Sequence, residues 1–555
     1  MPLKKSTPET RHGSSASAET SSRLPSSAAV RETIESIVIA FVLAFLFRTF
    51  EAEMFVIPTG SMAPTLMGRH KDLTCPKCGC PYQVGTSDEV DSDGASKGWQ
   101  YRIASGTCPM CRYRADLSRE REYPSYNGDR ILVGKFFYEL RDPDRWDVVV
   151  FKFPGDGTAD ARTNFIKRLI GLPGETIRIR NGDIWVRRGD EPFRIARKPP
   201  RKLLAVLQPV FDNDYMRRMA KEGWPARWTA ESAGDWRSDD DVTFHTDGTA
   251  TGPQWLRYHH RIPTASQWAE LESHGTIAAE SVAPQLIRDF TAYNASRVQG
   301  TNFAPRFDTF GRFWVGDLAV QCTVDLQSPK GELIFELRKG GRRFECRLDA
   351  ATGRAELSIS GSDMRKFRPT ASTPFRGPGR HDVRFSNCDN ELRLWIDGRV
   401  MAFDGPTAYE NLGNTLPDAG DLSPVGIAAV GAQATLSHLA IFRDLYYISD
   451  MSVADPSRSI GEVSIAGGPG SEPANRTERP GPDYVLKPDQ FFMLGDNSAR
   501  SKDGRLWGPD NYWVPRELLI GKALFLYWPH SWDRLPYVNV PMPFFPNFSR
   551  MGFVR

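Results

Sequence analysis

Residues 57–62 read Ile-Pro-Thr-Gly-Ser-Met, and residues 165–168 read Phe-Ile-Lys-Arg. The first stretch places Ser61 on a tight corner that Gly60 makes flexible, and the second places Lys167 within an apolar run. A serine hydroxyl is a weak nucleophile until a neighbouring base takes its proton, and a desolvated lysine can be that base. The two stretches therefore predict a serine nucleophile and a lysine base that the fold brings together.

Four blocks of sequence, in a fixed order, contain or flank these two residues. They are residues 57–66 around Ser61, residues 128–136 (Gly-Asp-Arg-Ile-Leu-Val-Gly-Lys-Phe), residues 165–175 around Lys167, and residues 492–508 (Phe-Met-Leu-Gly-Asp-Asn-Ser-Ala-Arg-Ser-Lys-Asp-Gly-Arg-Leu-Trp-Gly). Together they resemble bacterial type I signal peptidases, the membrane-bound Ser/Lys endopeptidases that remove signal peptides from exported proteins. The resemblance implies an enzyme that needs no cofactor for catalysis.

Catalytic roles follow from this resemblance. Ser61 would attack the peptide carbonyl while Lys167, neutral through burial, accepts its proton. The Ser61 backbone N–H and the Thr59 hydroxyl would hold the oxyanion. Many family members carry serine where Thr59 stands, so this position departs from the usual pattern. The last block would supply the residues that support the base. Ser501 would hydrogen-bond the lysine, and Asp503 and Arg505 would form an ion pair that holds the site together. Asp496 would lie beside that pair.

Substrate preference would come from shallow apolar pockets that accept small side chains at positions −1 and −3 of the substrate. By position, the family's pocket lining corresponds to Phe55, Ile57, Leu66 and Ile166. The alternative is that these four side chains belong to the ordinary hydrophobic core. Likewise, Asp496 and Asn497 could simply form a turn.

The segment 34–54 contains an uninterrupted apolar run from residue 37 to residue 47 and predicts a transmembrane helix. A cleavable signal peptide is the alternative, but no small-x-small cleavage site follows the run. Residues 1–33 are Ser/Pro-rich and basic, which predicts a disordered cytoplasmic N-terminus. The expected location is thus the cytoplasmic membrane, with a single span and an extracytoplasmic catalytic domain.

The chain of 555 residues is about twice as long as the four blocks require, which predicts inserted domains. Short alternating runs predict a mainly β fold. The family resemblance implies that the catalytic domain is an antiparallel β domain of the signal peptidase type. It would follow the transmembrane helix and be interrupted by a small zinc ribbon and a jelly-roll-like sandwich. The predicted boundaries are catalytic segments at 55–70, 123–190 and 483–555, a ribbon-like insertion at 71–122, a large insertion at 191–452 and a flexible linker at 453–482.

Four of the eight cysteines form two CPxC pairs, which predict a structural zinc ribbon. The predicted ligands are Cys75, Cys78, Cys108 and Cys111. Two disulfides are the alternative, since an external compartment would permit them. Cys80 is expected to be a bystander that could substitute as a ligand. The remaining cysteines, Cys322, Cys346 and Cys388, lie on predicted strands and are expected to be buried thiols.

The large insertion contains its clearest strand at residues 391–396, followed by Asp397-Gly398, which predicts a tight hairpin. The pattern resembles the laminin-G or concanavalin-like jelly roll, a fold that could bind a glycan or a protein. Expected partners are therefore secretory preproteins, the lipid bilayer and a glycan or protein ligand of this insertion. The formal net charge of +3 gives no reason to expect nucleic acid. A membrane-tethered binding scaffold with a vestigial peptidase unit is the alternative function.

Overall fold

The computed structural model describes residues 27–50, 52–91, 94–118, 123–155, 163–220, 224–232, 234–278, 281–298, 311–410, 412–413, 416–449, 481–508, 510–534 and 540–555. Backbone contacts divide the chain into two units, Met1–Ala52 and Glu53–Arg555. Strands predominate in the larger unit, which confirms the prediction of a mainly β fold. Residues 453–480 of the predicted linker and the first 26 residues of the predicted disordered N-terminus lie outside the described residues.

A helix, Ser27–Phe50, forms most of what is described of the first unit. It begins before the predicted start at residue 34, in an Ala-containing segment stabilised by an ion pair between Arg31 and Glu35. It also ends before residue 54, because the backbone from Ala52 onward joins a strand. The predictions of disorder through residue 33 and of helix through residue 54 are therefore wrong at these boundaries. Within the described residues, no helix meets the length and hydropathy required to cross a membrane.

The catalytic part is built on an antiparallel sheet whose strands come from three distant segments of the chain. We call it the catalytic sheet. Its strands are, in spatial order, Ala52–Val56, Arg130–Gly134, Leu519–Trp528, Val148–Lys152, Asn164–Gly171, Gln490–Leu494 and Trp513–Pro515, with Gly552–Phe553 paired to Leu519–Trp528. A second, four-stranded sheet adjoins it in sequence, with the order Arg194–Ile195, Asp183–Arg188, Glu175–Arg180 and Tyr484–Val485.

Two seven-stranded antiparallel sheets make up the large insertion. One contains Gln208–Asp212, Gln433–Arg443, Leu318–Leu326, Gly379–Cys388, Glu391–Ile396 and Arg399–Val400, with Phe244–Asp247 paired to Gln433–Arg443. The other contains Trp228–Ala230, Gln254–Tyr258, Val425–Val430, Glu332–Lys339, Arg342–Asp349, Arg354–Ile359 and Thr370–Ser372. Buried side chains of both sheets share one hydrophobic cluster, so we call the pair the sandwich. Asp397 and Gly398 both have positive φ, as the predicted two-residue hairpin turn requires.

The ribbon-like insertion consists of two hairpins, each of which carries one cysteine pair at its turn. The first hairpin pairs His70–Thr74 with Pro81–Gly85, and the second pairs Ile103–Thr107 with Arg114–Asp116. A strand of the large insertion, Ser296–Val298, adds a third strand to the second hairpin. Since the ribbon also shares the hydrophobic cluster of the sandwich, the two insertions pack as one body.

The remaining described elements are short. The α-helices are Phe137–Leu140, Pro200–Val206, Arg217–Ala220 and Ala265–His274, and a small sheet pairs Trp532–Arg534 with Pro541–Phe545. The 3-10 turns are Gly60–Met62, Ser87–Glu89, Trp99–Tyr101, Asn213–Met216, Ala292–Asn294, Ser362–Met364, Ala419–Leu422, Ser498–Arg500 and Arg516–Leu518. Three of these turns, Gly60–Met62, Ala292–Asn294 and Ser498–Arg500, meet at the site described next.

Candidate active site

Ser61 and Lys167 are brought together by the fold, as the sequence predicts. Ser61 lies in the 3-10 turn Gly60–Met62, which we call the serine turn. Lys167 lies in the central strand Asn164–Gly171, which we call the lysine strand. The Lys167 Nζ is 2.8 Å from the Ser61 Oγ, although the two residues are 106 positions apart. This contact joins the first and third sequence blocks.

The Lys167 amine is almost completely withdrawn from solvent, with 3% of the residue exposed. Burial lowers its pKa from the usual value to about 8, although the carboxylates of Asp503 and Asp496 act in the opposite direction. The Nζ also contacts the carbonyl oxygen of Ile166, at 3.0 Å. A lysine in this environment has a substantial neutral fraction near physiological pH and can accept the proton of a neighbouring hydroxyl.

The supporting residues of the last block lie close to the pair, but their partners differ in part from the prediction. Arg505 and Asp503 form the predicted ion pair, with a distance of 2.7 Å between Nη2 and Oδ2. The buried Ser501 hydroxyl, in contrast, has no hydrogen-bond partner within the described part of the chain. The predicted hydrogen bond between Ser501 and the lysine is thus not found, because Lys167 is held instead by Ser61 and the Ile166 carbonyl.

Asp496 has a partner that the sequence analysis missed. Arg168, which follows Lys167 and points to the other face of the strand, donates to both Asp496 oxygens at 2.7 and 2.6 Å. The Thr65 hydroxyl donates to the same carboxylate at 2.6 Å. Asp496 therefore links the lysine strand to the segment after the serine turn. The signal in the sequence was the position of Arg168 directly after Lys167, inside the third block, and nothing in that position identifies its partner.

A cleft of about 450 Å³ opens onto Ser61 and Lys167. Thr59, the predicted oxyanion donor, is exposed at its surface, and the predicted pocket residue Ile166 lines it. Phe55, Ile57 and Leu66 pack with Ile166 in one hydrophobic cluster and are not among the described residues that line the cleft. For these three, the core alternative agrees better with the structure.

Both insertions also contribute to the cleft, which the sequence analysis did not predict. The ribbon provides Gly85, Ser87 and Asp88, and the large insertion provides Tyr293. The last block adds Asn497, Arg500 and Lys502. The lining thus combines residues of the serine turn and the lysine strand with residues of both insertions and of the last block.

The four predicted metal ligands form a second cluster. Their sulfur atoms lie within 4.8 Å of one another, and all four residues are buried. The Cys75 and Cys111 sulfurs are 3.5 Å apart, and those of Cys78 and Cys108 are 3.6 Å apart. All eight cysteines are free thiols, and Cys322, Cys346 and Cys388 are buried as predicted. Cys80 lies outside the four-residue group, and its thiol contacts the carbonyl of Pro81.

Residues 117–209 and 456–528 match the family described as signal peptidase, peptidase S26. They include Lys167 and the supporting residues of the last block, while Ser61 precedes both. The resemblance to type I signal peptidases is therefore confirmed, and the interval between the matched S26 segments contains the sandwich except for the first two residues of the strand Gln208–Asp212.

Individual relatives of this chain are also signal peptidases of type I. Signal peptidase I of Pseudomonas fluorescens is 43% identical over 63 residues, which cover 9% of this chain and 21% of the relative. Signal peptidase I P of Bacillus subtilis subsp. natto is 26% identical over 153 residues, covering 28% and 48%. "Probable signal peptidase I-1" of Synechocystis sp. is 27% identical over 187 residues, covering 32% and 64%. The chain thus spans less than two thirds of the length of each of these relatives.

Among solved structures, the carbohydrate binding module CBM66 from Bacillus subtilis aligns with 39% of this chain and 96% of its own chain. The identity is 9% and the TM-score is 0.22. A score this low carries no inference about the sandwich, and the laminin-G resemblance stays a prediction.

Proposed function

We propose that the chain is a membrane-bound serine endopeptidase that cleaves signal peptides from exported preproteins, with Ser61 as nucleophile and Lys167 as general base. The observation that carries the proposal is the 2.8 Å contact between the Lys167 Nζ and the Ser61 Oγ, made by an amine whose pKa burial lowers to about 8. Matches to the S26 family and to signal peptidase I sequences support the substrate class.

In this mechanism the Ser61 Oγ attacks the scissile carbonyl carbon while its proton passes to Lys167. The developing oxyanion accepts hydrogen bonds from the Ser61 N–H and the Thr59 hydroxyl. Lys167 then returns the proton to the leaving amine, and the C–N bond breaks. The same lysine next takes a proton from water, which attacks the acyl-enzyme carbonyl carbon. The bond between that carbon and the Ser61 Oγ breaks, Lys167 returns the proton to the Oγ, and the signal peptide leaves with a new carboxyl terminus.

Exposed apolar side chains support a lipid partner for the enzyme. On the first helix, Ile34, Ile37, Val38, Ile39, Phe41 and Val42 are all at least half exposed. At one edge of the catalytic sheet and in segments that follow or pair with its strands, the exposed side chains are Met54, Val56, Phe136, Phe137, Leu140 and Phe553. Exposed apolar surface on this scale is typical of contact with a membrane or with another protein, and we propose that here it contacts the membrane, with the catalytic domain on the extracytoplasmic side.

The function is tested with detergent-solubilised protein and a preprotein that carries an Ala-x-Ala site. Wild type is expected to cut after that site, and Ser61→Ala is expected to leave the preprotein intact while unfolding at the same temperature as wild type. Cleavage is measured by gel shift and by mass spectrometry of the new N-terminus. If wild type cuts no preprotein in a panel, the proposal fails and the scaffold alternative gains support.

The pH dependence provides a second test of Lys167 as the base. Only the neutral amine accepts a proton, so kcat/KM is expected to rise with pH, reach half its maximum near pH 8, and level off above it. Measurement of kcat/KM from pH 6 to pH 10 checks this expectation. A rise centred near pH 4 to 5 would indicate a carboxylate base and contradict the assignment.

The four-cysteine cluster fits a structural zinc ion. Four thiolates around Zn²⁺ at about 2.3 Å lie about 3.8 Å apart, close to the sulfur distances of 3.5 and 3.6 Å, whereas disulfide sulfurs bond at about 2.05 Å. When bound, zinc would fix the two ribbon hairpins to each other and take no part in proteolysis.

We therefore expect metal analysis of the purified protein to find about one zinc per chain. Cys108→Ser is expected to lower the zinc content and the melting temperature, since structural zinc contributes directly to folding. Cys322→Ser, which changes a buried thiol of the sandwich, should leave the zinc content unchanged. Metal-free protein in which these four thiols resist alkylation would support disulfides instead.

A further inference from the structure

A turn of the large insertion, Ala292–Asn294, packs directly against the serine turn. The Tyr293 hydroxyl donates to the carbonyl oxygen of Arg69 at 3.0 Å. Its ring lies so close to Gly60 that a Cβ added there would sit 2.1 Å from a ring carbon. At Gly85 of the ribbon the corresponding distance is 2.4 Å. Glycine at both positions is what permits this buried ring to form part of the cleft wall.

The next residue, Asn294, forms a reciprocal amide pair with Asn497 of the last block. The Asn294 Nδ2 donates to the Asn497 Oδ1 at 2.6 Å, and the Asn497 Nδ2 donates to the Asn294 Oδ1 at 2.8 Å. Asn497 in turn holds the serine turn at two points. Its Nδ2 donates to the Gly60 carbonyl at 2.9 Å, and its backbone N–H donates to the Ser61 carbonyl at 3.1 Å.

The Gly60 carbonyl and the Ser61 N–H belong to one planar peptide group and point in opposite directions. A hydrogen bond that fixes the carbonyl therefore also fixes the direction of the N–H. Within the described residues, two donors hold this carbonyl: the Asn497 side chain and the backbone N–H of Ala63, at 3.1 Å. Of these two, only the Asn497 side chain depends on a partner from the insertion.

We infer that Asn294 is a positioning residue for the cleavage reaction: by holding Asn497 it fixes the Gly60–Ser61 peptide and aims the Ser61 N–H at the oxyanion. This inference rests on the proposed peptidase function. It makes the large insertion part of the active-site scaffold, because its turn Ala292–Asn294 sets the geometry of the nucleophile and contributes Tyr293 to the cleft wall.

The first test compares Asn294→Ala with wild type in the preprotein assay. Removing an oxyanion donor outright costs about 10²- to 10³-fold in kcat, and loosening it is expected to cost less, about tenfold. KM should change by less than about twofold, since Asn294 is not among the described residues that line the cleft. Asn294→Asp, which keeps the side-chain shape but loses the donor to Asn497, should change kcat in the same direction.

Asn213→Ala is the matched control within the same insertion. Asn213 is also a buried asparagine, and its Nδ2 donates to the carbonyls of Asp241 and Val242, inside the sandwich. Its loss should destabilise the insertion without changing the kcat of the folded protein. If Asn213→Ala lowers kcat as much as Asn294→Ala does, the effect is general destabilisation and the inference is overturned.

A double-mutant cycle tests whether Asn294 acts through Asn497. The double variant Asn294→Ala/Asn497→Ala should have a kcat within about twofold of Asn497→Ala alone, because the same interaction is already lost. A further tenfold loss in the double variant would mean independent roles and would refute the mechanism.

Hydrogen–deuterium exchange keeps the inference separate from the proposed function. Asn294→Ala should speed amide exchange in the peptide that spans residues 58–68, and Asn213→Ala should not. If wild type cleaves no preprotein, the peptidase proposal fails, but this exchange result still decides whether the insertion holds the serine turn. Unchanged exchange in Asn294→Ala would overturn the inference even in an active enzyme.

Discussion

Lys167→Ala is expected to lower preprotein cleavage by about 10³- to 10⁴-fold, the usual size of a general-base contribution when the nucleophile depends on it. The Ser61 hydroxyl would lose the side-chain amine that lies 2.8 Å from its oxygen and can take its proton. Lys167→Arg should fail as well, since a guanidinium stays protonated at any pH where the protein is folded. Single-turnover measurement with excess enzyme gives the rate of the chemical step directly.

Lys152→Ala is the matched control for this experiment. Lys152 is an exposed lysine on the strand Val148–Lys152, which pairs with the lysine strand, and it is not among the described residues that line the cleft. Its activity should stay within about twofold of wild type. Substantial turnover by Lys167→Ala, or recovery of activity in Lys167→Arg, would refute lysine as the base.

Arg168→Ala is expected to destabilise the protein by about 3–5 kcal/mol, the cost of leaving a buried carboxylate without its partner. Arg168 and Asp496 are both buried, and the guanidinium binds the two carboxylate oxygens at 2.7 and 2.6 Å. It also donates to the Trp146 carbonyl at 2.8 Å, which would lose that bond as well. The free energy of unfolding, measured by denaturant titration in detergent, checks the expectation.

A second arginine–aspartate pair, with the same two hydrogen bonds but exposed to solvent, serves as the control. Arg178 binds both oxygens of Asp483 at 2.7 Å, but the two side chains are 42% and 31% exposed. Arg178→Ala should cost less than about 1 kcal/mol, since water replaces the lost partner. A loss for Arg168→Ala as small as that for Arg178→Ala would mean that the buried pair does not stabilise the fold.

The four blocks and their order were sufficient to predict that Ser61 and Lys167 lie together, at 2.8 Å between the Lys167 Nζ and the Ser61 Oγ, while their catalytic roles stay a prediction. It was also sufficient for the hairpin at Asp397-Gly398, where the turn requires positive φ at both residues. The partner of Asp496 was not predictable in the same way. Both Arg168 and Arg505 lie in matching blocks, and only the direction of each side chain in the folded sheets decides between them.

The contribution of the insertions could not be read from the sequence at all. Tyr293 and Asn294 lie more than one hundred positions from any block, in a segment without a motif. Their role depends on the packing of the sandwich against the ribbon, which is a property of tertiary structure. The C-terminal boundary of the first helix was missed for a similar reason: a strand begins at Ala52 and pairs within the catalytic sheet, before the predicted helix end at residue 54.

The insertions separate segments that must pair in the catalytic sheet, and this order affects how the chain folds during synthesis. Arg168 and Asp496 are 328 positions apart, and the lysine strand pairs with Gln490–Leu494 only after everything between them has been synthesised. Closing so long a loop is entropically costly while it is unfolded and much less so once the sandwich has condensed. We therefore expect the inserted body to fold first and proteolytic competence to be the last property that the nascent polypeptide acquires.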